Sequence, residues 1–281
     1  MKPKLWAYEN SIRKLVGILR IRMISYKWIV AIVILLCVNN SYSQSHRDSV
    51  SYLKSYYTDT RDLIIEPLHW NKNDLANFTL VAGATGFLMI YDEKIDEFVQ
   101  RNQNENLLNF SQNVLSPFGN GLYSIPALGI IYVSGVISKN PFDKEMALLG
   151  LKAFTISAGA ATVSKYAFQR HRPIDDNPPD AFAYDGPFGG FSNEGSFVSR
   201  HATTAFAVAT VISEGYKSKK RWVPYVAYSL ASLVACSRVY EREHWASDVF
   251  AGAALGFVTG KFLYYINYGY KTKKIKYHQN F

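Results

Sequence analysis

Cysteine is almost absent from this 281-residue chain, and its two examples, Cys37 and Cys236, exclude both a disulfide framework and a thiolate metal site. Cys37 falls in an apolar segment of targeting type. Cys236 falls in an apolar run where a buried small hydrophobe is the expected role. The alternation of polar and apolar residues that marks half-buried strands is also missing. No basic stripe with interleaved aromatics appears in the folded region, so no nucleic-acid partner is expected. After about residue 75 nothing reads as a linker, which points to one folded unit from there on.

What the chain does have is apolar bulk and positive charge. Hydrophobic residues make up 48% and aromatics 15%, enough for a large buried core. The 31 Lys and Arg against 22 Asp and Glu give +9, a balance that suits anionic partners or membrane topology. The cations concentrate near the N-terminus (Lys2, Lys4, Arg13, Lys14, Arg20, Arg22, Lys27), at residues 217–221 and at residues 271–276. Residues 28–38 form an apolar stretch too short to span a bilayer, preceded by basic residues and followed by small ones at Ser41 and Ser43. Residues 1–44 therefore read as a signal peptide or targeting segment, and export from the cytoplasm is expected.

Residues 45–74 read as a polar N-terminal arm with one short amphipathic helix, residues 75–270 as a helical domain, and residues 271–281 as a basic tail. Within the domain the apolar runs are 75–91, 122–138, 147–168, 203–212, 222–236 and 249–265. Each mixes small residues, Ala with Gly, Ser or Thr, among larger hydrophobes, and small residues at helical spacing (Ala158, Gly159, Ala161; Gly252, Ala253, Gly256) allow close helix contact. The expected fold is all-α, a bundle of about six apolar helices. Several runs are long enough to cross a membrane, although 203–212 is short. The positive-inside rule places residues 217–221 and 271–276 on the cytoplasmic side.

Three clusters carry the chemistry. Lys165 and Arg172 are seven residues apart, so they share a face if the helix runs on to Arg172, with Pro173 marking its end. An ammonium and a guanidinium together suit a phosphoryl group, or simply lipid headgroups. Ser199-Arg200-His201 precedes an apolar run and reads as a helix N-terminus, where free N–H groups attract an anion. In the third, Arg238 arrives at the end of a helix, and His244 and Asp248 stand four apart on one expected helical face. An aspartate that accepts from Nδ1–H would leave Nε2 free to attack. The connection 174–197, rich in proline and glycine, joins the first two clusters as a lid or as a plain surface loop.

These residues resemble the type 2 phosphatidic acid phosphatase superfamily, which includes bacterial acid phosphatases and vanadium haloperoxidases. Its pattern is Lys-x6-Arg-Pro, then Pro-Ser-Gly-His, then Ser-Arg-x5-His-x3-Asp. The first and third occur in full at Lys165–Pro173 and Ser237–Asp248, and the likeness spans roughly residues 147–261. It implies His244 as a nucleophile forming a phosphohistidine, Asp248 as its orienting partner and His201 as the general acid. It implies Lys165, Arg172, Ser199 and Arg238 as the phosphate cradle, and no metal or cofactor. The second motif departs, with Val198 for proline and Arg200 for glycine. Arg200 either sits at a negative φ or turns outward, toward a headgroup or the lid.

The expected function is removal of phosphate from a lipid phosphate or pyrophosphate, such as phosphatidic acid, phosphatidylglycerophosphate or undecaprenyl pyrophosphate, by an enzyme of the cell envelope whose site faces the periplasm. Alternatives are a soluble periplasmic acid phosphatase using the same residues, a haloperoxidase, or a lipid-phosphate-binding protein weakened by Arg200. A metal site built from His171, Asp175, His201, His244 and Asp248 is a mechanistically different reading.

Overall fold

The computed structural model describes residues 52–175, 179–188 and 195–269. The expected targeting segment at 1–44, Cys37, the basic tail at 271–281 and parts of the 174–197 connection lie outside them. Among the described residues the chain is helical, with one isolated bridge between Arg170 and Tyr184. The helices are α1 (Tyr52–Ile65), α2 (Lys72–Arg101), α3 (Glu105–Phe110), α4 (Ser116–Gly119), α5 (Ser124–Ile137), α6 (Pro141–Phe168), α7 (Arg200–Tyr216), α8 (Val223–Tyr240) and α9 (Ala246–Tyr264). The six apolar runs of the sequence correspond to α2 and α5–α9. Most are longer than the runs by a polar turn at one end or both, because capping residues lie outside the apolar stretch. Asn71 caps α2, accepting from Asn73 N–H at 2.8 Å, and Asn140 caps α6, accepting from Phe142 N–H at 3.1 Å.

Helix α7 is the hub, packed against α6, α8 and α9. Its contact with α9 is backbone to backbone. A Cβ at Gly252, Gly256 or Gly260 would lie 2.6, 2.1 or 2.5 Å from the carbonyl oxygens of Ser199, Thr203 and Ala207 respectively. Three glycines at four-residue spacing thus meet three α7 carbonyls at the same spacing. The two helices therefore run parallel and in register, and their N-termini end side by side. Helices α6 and α8 run the other way and bring their C-termini to that same end.

The polarity of α2 is inverted. The buried residues of α2 are Thr85, Asp92 and Asp96, while Leu80, Phe87 and Ile90 face outward, with Leu80 72% exposed. Three segments, Lys72–Arg101, Pro141–Phe168 and Ala246–Tyr268, are long and apolar enough to cross a membrane. A fourth is possible in length if Glu105–Gly119 and Ser124–Ile137, bent by 51° at their junction, form one broken span. Cys236, expected as a buried small hydrophobe, is exposed on the outer face of α8 beside Leu233. An apolar outer face makes no demand that a small hydrophobe be buried.

The stretch expected as a polar arm holds α1, which is anchored to α6. Asp59 pairs with Lys152 at 2.8 Å, both buried, and the Lys152 ammonium lies over the rings of Tyr52 and Tyr56. A lysine inside an apolar helix needs such a counter-charge, since a buried unpaired ammonium is strongly disfavoured.

The glycine ridge yields a test. Gly256→Val should destabilise the protein by about 1–3 kcal/mol or more, read as a lowered unfolding midpoint in detergent, because the clash is with backbone. Gly83→Ala, where an added Cβ meets nothing within 4 Å, should leave the midpoint unchanged or slightly raised.

Candidate active site

The convergence of four helix ends gathers the three sequence clusters into one site. Lys165 lies in the last turn of α6, Ser199 caps α7, Arg200 and His201 open it, Arg238 lies in the last turn of α8, and His244 and Asp248 flank the start of α9. Lys165, Ser199, Arg238, His244 and Asp248 are buried, whereas Arg172, Arg200 and His201 are partly open. Two parallel N-termini end here, so their helix dipoles add to the cationic field.

The first cluster is not one helical face. Helix α6 stops at Phe168, and Gln169 adopts a left-handed conformation with φ 46°, its N–H bonding the Lys165 carbonyl at 2.9 Å. Residues beyond it are non-helical, four positions before the proline expected to mark the end. Arg172 still reaches the site, where it bonds Glu243. Lys165 Nζ donates to the Gly195 carbonyl.

Nor are His244 and Asp248 a helical pair. Trp245 is the N-cap of α9, so His244 precedes the helix, and Asp248 at the third position accepts from Trp245 N–H at 3.0 Å. The expected direct contact is replaced by a bridge. Ser196 Oγ lies 2.5 Å from Asp248 Oδ2 and 3.2 Å from His244 Nδ1.

Behind the histidine stands Arg170, with no exposed side-chain surface and all five donors used. Nε and NH2 donate to the Ala181 carbonyl at 2.9 and 2.7 Å, and NH2 to Asp92 at 2.8 Å. NH1 donates to Ser247 Oγ at 2.8 Å and to Asp248 Oδ1 at 2.5 Å. Its guanidinium lies over the Trp245 ring at 5.4 Å. Asp96, one turn beyond Asp92 on α2, pairs with Arg242 at 2.8 and 3.0 Å. Helix α2 thus offers the site the carboxylates of Asp92 and Asp96.

Arg238 is held by Ser116 Oγ at 2.5 Å and Glu241 at 2.6 Å, with Glu243 at 3.4 Å. Its Nε is buried and makes no hydrogen bond, the state of a donor kept for a ligand oxygen. Gly119 admits the His201 ring, since a Cβ there would lie 2.7 Å from it. Arg200 is absent from the positive-φ residues and opens α7 with ordinary helical backbone, so the family's glycine is not required for conformation.

Both histidines are held neutral. Burial lowers the His201 pKa far below the usual imidazole value, and Arg238, Arg200, Lys165 and Arg172 push it in the same direction. Burial also lowers that of His244, with Lys165, Arg238 and Arg172 adding to it. Cations gathered around buried, uncharged imidazoles suit an anion. Among the described residues no three His, Cys, Asp or Glu side chains are grouped to hold a metal, and His171 instead faces Asp185 at 3.2 Å.

The PAP2 superfamily model matches residues 147–271. Over that segment the chain is similar to PAP2 proteins. Over 122 residues it is 35% identical to a lipid A 1-phosphatase of Porphyromonas gingivalis, covering 43% of this chain and 22% of that protein. A lipid A 4'-phosphatase of the same organism is 25% identical over 141 residues, covering 49% and 58%. A PA-phosphatase related-family protein of Dictyostelium discoideum is 29% identical over 166 residues, covering 52% and 59%. The chain thus spans between about a fifth and three fifths of these relatives. Among solved structures, a transmembrane PAP2 type phosphatidylglycerolphosphate phosphatase from Bacillus subtilis has a TM-score of 0.49 at 19% identity, covering 71% of this chain and 94% of that one. Aquifex aeolicus LpxE has 0.44 at 22% identity, covering 61% and 93%.

The PAP2 match begins inside α6, so Asp92, Ser116 and Gly119 reach the site from outside it. None of these, nor Arg170, Ser196, Glu241 and Glu243, was singled out by sequence. Arg170, Glu241 and Glu243 lie within the recognised clusters, whereas Asp92 directly follows the apolar run 75–91 among other charged residues and carried no signal of its own.

The depressed histidines set a pH dependence. Below about pH 6.5 the unfolded chain takes up protons that the folded site refuses. Stability is then complete above that pH and falls as pH drops, by about 1.4 kcal/mol per unit for each histidine. Unfolding in detergent between about pH 7.5 and 5 should show this slope, reduced in His201→Gln and His244→Gln and also by added orthophosphate, whose charge lets the imidazoles protonate.

Proposed function

We propose that this chain is a metal-independent phosphatase that hydrolyses a lipid phosphate or pyrophosphate at a membrane surface through a phosphohistidine. The observation that carries this reading is the gathering of Lys165, Arg172, Arg200 and Arg238 around two neutral histidines, at the ends of helices whose outer faces are apolar. In this reading Lys165, Arg172, Arg238, Ser199 and the first N–H groups of α7 hold the phosphoryl oxygens. His244 Nε2 attacks phosphorus: the N–P bond forms, the P–O bond breaks, and its electron pair leaves on the oxygen. His201 protonates that oxygen. Its proton is available because the substrate's negative charge offsets the surrounding cations that otherwise depress its pKa. Water then attacks phosphorus and gives a proton to His201, and the N–P bond breaks to release orthophosphate and restore His244.

The outward apolar surface favours a lipid-borne substrate over the soluble periplasmic alternative. Phosphatidic acid, phosphatidylglycerophosphate and undecaprenyl pyrophosphate remain candidates, and the names of two relatives add lipid A. Residues 217–221 follow the C-terminus of α7, a helix length of about 25 Å from the site. Positive-inside reasoning puts them in the cytoplasm and the site at the periplasmic face of an exported, envelope-bound protein. Arg200 keeps the backbone N–H and adds a charge.

Phosphate release from this panel of lipids in mixed micelles is the test. Activity should survive a chelator, fall with orthovanadate, and drop by at least about a thousandfold in His244→Ala, as loss of a covalent nucleophile does. Full activity in His244→Ala would sink the mechanism, and lipid-phosphate binding without turnover by the wild type would favour the binding-protein reading.

A further inference from the structure

Ser196 belongs to none of the three clusters, yet it is the one group that joins the proposed nucleophile to its carboxylate. It is fully buried, 2.5 Å from Asp248 Oδ2 and 3.2 Å from His244 Nδ1. We propose that Ser196 is a positioning residue that fixes the reactive tautomer of His244, an inference that rests on the phosphohistidine reading for its catalytic consequence.

The direction of each hydrogen bond follows from what each group can donate. Arg170 is always protonated and is clamped to Asp248 Oδ1 at 2.5 Å, with neither side chain exposed, so the carboxylate is ionised and can only accept. Oδ2 already accepts from Trp245 N–H at 3.0 Å and turns its remaining capacity to Ser196. A serine hydroxyl has one hydrogen, and here it goes to Asp248. What Ser196 presents to His244 is therefore a lone pair. Nδ1 must carry the proton to make that contact, because the other tautomer would set lone pair against lone pair. In a neutral imidazole with hydrogen on Nδ1, Nε2 is bare and nucleophilic. The hydroxyl thus transmits the orientation of Asp248 to the ring.

The arrangement behind it leaves little freedom. Asp92 accepts from Arg170 at 2.8 Å and from Ser247 N–H at 3.0 Å, so α2 braces the guanidinium that braces the carboxylate. With Oδ1 taken by Arg170 and Oδ2 by Trp245 and Ser196, Asp248 cannot rotate to meet His244 directly without losing a charge-assisted bond. As Nε2 bonds to phosphorus the ring gains positive charge, and its Nδ1–H continues to donate toward Ser196 and the carboxylate behind it.

The test uses the full chain in detergent. In Ser196→Ala, kcat should fall about tenfold to a hundredfold, as loss of a group orienting a reactive imidazole does, with KM within about twofold since no phosphate-holding side chain touches Ser196. Ser196→Thr, which keeps the hydroxyl, should recover most of the rate. Independently of activity, 15N spectra of histidine-labelled protein, with His244 assigned by its loss in His244→Gln, should show the proton on Nδ1 in the wild type. In Ser196→Ala it should be shared with or moved to Nε2. A wild type with His244 protonated on Nε2, or a Ser196→Ala protein with unchanged kcat and unchanged spectrum, overturns the proposal. Absence of any phosphate release by the wild type overturns the phosphatase reading instead and leaves the tautomer result standing on the spectra.

Discussion

The backbone contact between α7 and α9 is the constraint on which the site depends. Gly252, Gly256 and Gly260 let the two helices touch carbonyl to Cα, and no larger residue fits against Ser199, Thr203 and Ala207. Close parallel packing in register fixes where both helices begin. Ser199 N–H then bonds the Asp248 carbonyl at 3.0 Å, tying the cap of one helix to the first turn of the other. In that position two helix N-termini, a capping serine, two histidines and an aspartate become neighbours although more than forty residues separate them in the chain. The antiparallel helices α6 and α8 close the arrangement with Lys165 and Arg238.

Charge is organised in two layers around this junction. Around the histidines stand the partly open Arg172 and Arg200 with the buried Arg238 and Lys165; burial above all, and then these cations, disfavours protonation of His201 and His244. Behind His244 the opposite sign is ordered: Asp92 and Asp248 hold Arg170 between them. Glu241 and Glu243 steady Arg238, and Glu243 also meets Arg172. Cations that would repel one another in a small volume are thus spaced by carboxylates, yet Arg238 retains a buried unused donor. Fixed placement of charge by such partners is what electrostatic stabilisation of phosphoryl transfer requires.

Much of this was legible in one dimension. Helical apolar runs, the small-residue spacing on α9 and the three clusters were visible because each is local, governed by helix period or motif spacing. Three local expectations failed for identifiable reasons. Helix α6 ended at Phe168 because Gln169 takes a left-handed C-cap whose N–H bonds the Lys165 carbonyl, a choice that Pro173 did not advertise. His244 fell outside α9 because Trp245 is the cap, so four-residue spacing did not mean a shared helical face. Cys236 faced outward because the outer surface of α8 is itself apolar.

The sequence by itself determined the helical class and the inventory of cationic and imidazole groups, since periodicity and residue type are properties of short segments. Only the tertiary structure decided which carboxylate serves which cation. Asp92 is 78 residues from Arg170, and Ser196 is 52 from Asp248. Nothing in chain order foretells such pairings, because they follow from how closely α7 and α9 approach and from the need of every buried charge and donor to find a partner.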